Sequence, residues 1–136
     1  MTISSKNTDL GPVRLLLVDD EKDFVNILAK RFKHRNIDVT KAFSGTEAIQ
    51  ALRENEFDVA VLDLKMEDMD GIEVLKIFKI MDPRLAVIML TGHGSAESAE
   101  QGLKLGAFDY LSKPCELEDL VQKIMQAFAQ RKQNES

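Results

Sequence analysis

Five side chains of this sequence have complementary chemistry: Asp19, Asp20, Asp63, Thr91 and Lys113. Brought to one place, they make three carboxylates, a hydroxyl and an amine. Like charges packed together raise one another's pKa unless a cation relieves them. An oxygen-rich cluster with few protein ligands suits Mg²⁺, which keeps several of its waters. Asp19, Asp20 and Asp63 are therefore read as a divalent-metal site. A metal beside a carboxylate, a hydroxyl and a lysine is equipment for phosphoryl transfer. The aspartate can act as nucleophile and form an acyl phosphate, while metal and lysine neutralise charge on the transferred oxygens. Lys113 fits as a point charge for a phosphoryl group, and Thr91 as a hydrogen-bond donor to one of its oxygens.

For these residues to meet, the chain must put them at one edge. Short, near-continuous apolar runs occur at 15–18, 59–62 and 85–90. Such runs mark strands covered on both faces, as in a parallel sheet. Two more polar candidates, 38–41 and 108–111, suit edge strands. Between the runs the period becomes helical. Phe24, Ile27, Leu28, Arg31 and Phe32 form one stripe, with Arg31 covering it by its aliphatic stem. Ala48, Ile49 and Leu52 form a second, opened by Ser44 and Glu47 as a capping box. Ile72, Leu75 and Phe78 line a third helix that ends near Pro83. Ala99, Leu103 and Leu105 belong to a fourth, stopped at Gly106. Leu117, Leu120, Val121, Ile124 and Phe128 line a fifth. Five β-α units imply right-handed crossovers and a parallel sheet with helices on both faces. Ligands of such sheets collect at the carboxyl ends of the strands. Asp19-Asp20, Asp63, Thr91 and Lys113-Pro114 each follow or end a strand candidate, so the topology itself gathers them.

Composition narrows the function classes. With 136 residues, 44% apolar and 30% charged, the chain can bury one core. The reading places one domain at 13–130, a flexible lead-in at 1–12 and a polar tail or linker start at 131–136, with fraying expected from Gln130. A net charge of −5 argues against binding nucleic acid or an anionic membrane. One cysteine, Cys115, permits no internal disulfide, and His34 and His93 are too few for a structural zinc site. No apolar run is long enough to cross a bilayer, and no signal peptide opens the chain. A cytoplasmic protein is expected.

The stretches LLLVDDE (15–21), VLDLKMEDMDG (61–71), LTGHG (90–94) and AFDYLSKP (107–114) together resemble the receiver domain of two-component response regulators over about residues 13–130. The resemblance implies a flavodoxin-like (βα)₅ fold, with a five-stranded parallel sheet in the order 2-1-3-4-5. It implies that Asp63 accepts a phosphoryl group from the phosphohistidine of a histidine kinase or histidine phosphotransfer protein. Mg²⁺ (or Mn²⁺) would be held by Asp20, Asp63 and the backbone carbonyl of Lys65, with Asp19 acting through a metal-bound water. Thr91 would close on the phosphoryl group, Lys113 would pair with it, and Tyr110 would turn inward as an aromatic switch. The face of the fourth helix, fifth strand and fifth helix would then change its partners, an output protein or a second copy of the chain. The protein would catalyse only its own phosphotransfer and dephosphorylation, and so is not expected to be an enzyme. Glu67 stands where the family usually has proline, which bears on the shape and charge of that loop. The 107–114 stretch resembles receivers attached to transcription activators.

Three other readings compete. An aspartate-nucleophile phosphatase of the haloacid dehalogenase kind needs a D-x-D after its first strand, and Asp19-Asp20-Glu21 does not supply it. A flavin binder needs a Gly- or Ser/Thr-rich phosphate loop, and the loop after Val18 is acidic. A degenerate receiver, used only for protein contacts, would not need all five positions intact. Among the remaining candidates, His93 lies near the expected site as a loop histidine, His34 reads as surface and Cys115 as an inert small residue. Met66 and Met69 read as packing beside the acidic loop.

Overall fold

The computed structural model describes residues 11–92 and 96–134. Ten elements alternate along them. They are β1 (Val13–Val18), α1 (Lys22–Lys33), β2 (Ile37–Ala42), α2 (Gly45–Glu54), β3 (Val59–Asp63), α3 (Gly71–Met81), β4 (Ala86–Thr91), α4 (Ala96–Lys104), β5 (Asp109–Ser112) and α5 (Leu117–Asn134). The strands form one parallel sheet in the order β2-β1-β3-β4-β5. Fold and strand order thus agree with the sequence reading; 38–41 falls in one edge strand, and the other begins at Asp109, one residue later than the expected 108–111.

The central strands are apolar on both sides because both sides are covered. Alternate residues of a strand point to opposite faces. Leu16, Val18, Ala60, Leu62, Val87 and Met89 pack with Ala48 and Leu52 of α2 and with Ile72, Leu75 and Phe78 of α3. Leu15, Leu17, Val59, Val61, Ile88 and Leu90 pack with Val25, Leu28 and Phe32 of α1 and with Leu120, Ile124 and Phe128 of α5. Two apolar layers on one sheet fix its register, since a one-residue slip would exchange them.

Helix boundaries follow local chemistry. The Ser44 hydroxyl accepts from the Glu47 amide at 3.0 Å and so caps α2. Glu47 reaches one residue further back than a capping box requires: its carboxylate accepts from the Phe43 N–H at 2.9 Å. Asp70 caps α3 through the Ile72 amide at 3.0 Å. Gly106, at φ +106°, ends the turn after α4 as expected.

Three expectations change. The buried face of α1 is centred on Val25, Leu28 and Phe32, while Ile27 is 54% exposed and Arg31 lies outside. Ile27 is rotated by roughly 100° from Leu28, enough to carry it off the narrow contact stripe. In α4 the buried residues are Ala99 and Gly102, and Leu103 is 39% exposed. The helix approaches β4 so closely that a Cβ on Gly102 would stand 2.1 Å from Met89 Sδ. Fraying from Gln130 is replaced by helix through Asn134, because Arg131 is buried and donates to Asp58 at 3.2 Å. The expectations for residues 1–10, for His93 and for 135–136 lie outside the described residues.

Candidate phosphoryl and metal site

Three loops at the carboxyl edge of the sheet build the site. The first leaves β1. Asp19 is fully buried, and its amide continues the ladder by donating to Ala42 O at 3.1 Å. One Asp19 oxygen accepts from the Glu21 amide at 3.0 Å, and the other accepts from Lys113 Nζ at 2.9 Å. Asp20, half-buried, accepts from the Glu67 amide at 3.2 Å. This bond bears on the departure at position 67, because a proline there has no N–H to give.

The second loop leaves β3. Asp63 is buried at the strand's last position, and its carboxylate accepts from the Lys65 amide at 3.1 Å. The loop is closed by a bridge between Lys65 and Asp70. It is also tied down by Asp68, whose carboxylate accepts from the amides of Gly45 and Thr46 and from the Thr46 hydroxyl, each at 3.0 Å. Those amides open α2, where the helix dipole favours an anion. They hold the Asp68 carboxyl below the usual carboxylate range, the Gly45 bond most of all. Gly71 sits against the loop backbone, where a Cβ would come 2.5 Å from Leu64 Cα.

Thr91 ends β4 and Lys113 follows β5. Their strands are joined by the Lys113 amide donating to Thr91 O at 2.7 Å. The Thr91 hydroxyl is buried and donates to Leu111 O at 3.4 Å. Lys113 Nζ lies 2.7 Å from Glu21, 2.9 Å from Asp19 and 3.9 Å from Asp63.

Asp19, Asp20 and Asp63 each place a carboxylate oxygen within 4.8 Å of the other two. Burial, together with the charges of Asp19 and Asp20, pushes the Asp63 carboxyl up to about 6, against the opposing pull of the Lys65 amide and Lys113. Burial also works against the Lys113 ammonium, but its bonds to Glu21 and Asp19 prevail and hold it above the ordinary lysine value. The cluster is thus an all-oxygen donor set with an excess of negative charge, which a small hard cation fits. The site brings together Asp19, Asp20, Asp63 and Lys113 and places Thr91 on the adjoining strand end. Tyr110 is not brought into the cluster and is 41% exposed. Cys115 is half-buried and its thiol is pushed up by that burial, in keeping with an inert residue.

Glu21, Phe24 and Asp68 were not singled out by sequence reasoning. Glu21 was visible as the third acid of a run, but its partner is 92 residues away. The Phe24 ring, 4.6 Å from the ammonium of Lys113, reads from sequence as an ordinary member of an apolar stripe.

Comparison with known proteins places this geometry. The sequence profile of the response regulator receiver domain matches residues 15–125. The chain is 35% identical over 119 residues to the transcriptional regulatory protein ZraR of Salmonella typhimurium, covering 88% of this chain and 27% of that protein. It is 35% identical over 111 residues to a putative NtrX-like response regulator of Rickettsia bellii, covering 80% and 23%. The chain therefore spans about a quarter of the length of these curated relatives. Among solved structures, a response regulator receiver domain protein from Clostridium thermocellum superimposes with a TM-score of 0.85 at 34% identity, covering 88% of this chain and 97% of that one.

Proposed function

The chain belongs to the response regulator receiver domain family, and on that footing we propose that it accepts a phosphoryl group on Asp63 and converts it into a changed binding face. The observation that carries this reading is the cluster itself: three carboxylates within 4.8 Å, with an ammonium 3.9 Å from the buried Asp63.

In the proposed reaction an Asp63 oxygen attacks the phosphorus of a phosphohistidine on a partner kinase or phosphotransfer protein. The new P–O bond makes an acyl phosphate, and the P–N bond breaks with its electron pair going to the imidazole. Asp63 must be ionised to attack, and with its pKa near 6 it is mostly so at neutral pH. Asp20, Asp63 and the Lys65 carbonyl would hold the Mg²⁺, with Asp19 reaching it through a water. The cation would supply charge neutralisation at the transferred oxygens. Lys113 pairs with one phosphoryl oxygen. Thr91 donates to another after giving up its bond to Leu111 O. The protein turns over no external substrate.

Phosphorylation adds roughly two negative charges at the edge of the sheet. Movement of Thr91 makes room for Tyr110 to turn inward, which alters the face formed by α4, β5 and α5. An output domain or protein, or a second copy of the chain, would read that face.

The test is intact mass after incubation with Mg²⁺ and acetyl phosphate. One phosphoryl group is expected on the wild type, and none on Asp63→Asn or in EDTA. A wild type that neither gains mass nor binds beryllofluoride would overturn the reading.

A further inference from the structure

Lys113 is nearer to Glu21, at 2.7 Å, and to Asp19, at 2.9 Å, than to Asp63, at 3.9 Å. Its ammonium also rests over the face of Phe24, 4.6 Å from the ring centroid. These partners differ in kind. Asp19 is buried and belongs to the carboxylate cluster. Glu21 lies outside that cluster, directly before α1, with its side chain 63% exposed against 18% for Lys113. The lysine therefore has a seat on the solvent side of the site, made of one exposed carboxylate and one aromatic face, the latter favourable to a cation.

We propose that Glu21 is a positioning residue, an outer counter-ion that seats Lys113 beside the site and competes with the phosphoryl oxygens for it. This rests on the phosphoacceptor reading given above. The energetics suit a seat that must be vacated. An exposed ion pair is weak in water, so Glu21 localises the ammonium without trapping it. A phosphoryl group with about two negative charges at the edge of the sheet is the stronger partner. Lys113 moves between two anions, and the free energy with which Glu21 holds it is subtracted from phosphoryl binding. Glu21 thus sets how readily the phosphorylated state forms.

The test uses beryllofluoride as the phosphoryl probe, titrated at Mg²⁺ saturating for each variant and read by fluorine NMR. Glu21→Gln is expected to bind it about three- to fivefold more tightly than wild type. Asp23→Asn, which removes the same charge from the first turn of α1, is expected to leave the affinity unchanged. A second arm needs no metal. In EDTA, acetylation of Lys113 by an activated ester, followed by peptide mass analysis, is expected to run about threefold faster in Glu21→Gln, relative to the other lysines. Both shifts are required, and the absence of either, or an equal shift in Asp23→Asn, overturns the proposal. Wild type that binds the probe with Glu21→Gln unchanged overturns the seat alone. Wild type that binds no probe overturns the seat, and if it also gains no phosphoryl mass with acetyl phosphate it overturns the phosphoacceptor reading as well.

Discussion

Asp63 is asked to be a buried carboxylate among others, and its stability cost follows from that. Its pKa is near 6 in the fold against an ordinary 3.8, burial being the main cause. The native state therefore holds this proton more tightly than the unfolded chain does. Its contribution to stability is fully present below about pH 4 and is lost as pH rises through about 6. Urea unfolding in EDTA should show Asp63→Asn without that loss, and on the order of 2 kcal/mol more stable than wild type at pH 7. Mg²⁺ should narrow the gap by relieving the wild type. Equal stability of the two proteins at pH 7 would mean that the cluster carries no strain. Position 67 offers a second test at this scale. The bond from the Glu67 amide to Asp20 orients a carboxylate of the cluster. Glu67→Pro removes the donor and should weaken Mg²⁺ binding on the order of three- to tenfold by calorimetry. Glu67→Gln keeps the donor and should not. A similar loss in both variants would assign the effect to charge.

Among the elements, the 64–70 loop carries the greatest positional demand. It must hold Asp63, Lys65 and Asp20's partner in one arrangement, and it is clamped by Asp68 on α2 and by the close approach of Gly71. Gly71→Ala drives a methyl group into Leu64 backbone at 2.5 Å. It should cost about 2–3 kcal/mol in denaturant midpoint and also weaken Mg²⁺ binding. With Leu75 Cδ2 at an ordinary 3.5 Å, Gly102→Ala clashes with the thioether of Met89. That side chain can turn, so the cost should be smaller and the metal affinity unchanged. Equal costs at the two glycines would show that the loop backbone yields as easily as a methionine.

Across the whole molecule, the two ends of the sheet are built for different tasks. Among the described residues, the carboxyl end gathers acids in excess of cations, while at the opposite end a buried acid is neutralised. Asp58, almost fully buried, receives Arg14 of β1 at 2.9 Å and Arg131 of α5 at 3.2 Å. Burial pushes the Asp58 carboxyl up, but the Arg14 bonds outweigh this and leave it below the usual carboxylate range. Its stabilisation is thus present above the ordinary carboxylate pKa and is lost as pH falls through the depressed value. Asp58→Asn removes the buried carboxylate that Arg14, Arg131 and Lys132 share. It should cost about 3 kcal/mol at pH 7 in thermal or urea unfolding, and the gap to wild type should close in acid. The face proposed to change partners carries Leu103, Tyr110 and Met125, each about 40% exposed, on α4, β5 and α5. Sedimentation at equal concentration should show a heavier species for protein loaded with Mg²⁺ and beryllofluoride than for untreated protein. Identical masses would count against pairing of two copies through this face.

What the sequence determined by itself is the sheet and the list of polar groups at its carboxyl edge. Residues 15–18, 59–62 and 85–90 are apolar without alternation, and burial on both faces is a property that residue type records locally. Once those runs and the edge segment before Lys113 are parallel strands, Asp19, Asp20, Asp63, Thr91 and Lys113 must share an edge, because each lies at the same end of its strand. Exposure within helices was less legible. The α1 stripe admits Ile27 as readily as Val25 by composition, and only the docking angle of the helix on the sheet chose between them. The tertiary structure alone decided who pairs with whom. Glu21 meets Lys113 across 92 residues, Asp58 meets Arg131 across 73, and Asp68 meets Thr46 across 22. Charged residues carry no periodic signal that names a partner. Their contacts follow from where the packed sheet brings the loops, and they are fixed only when the fold is complete.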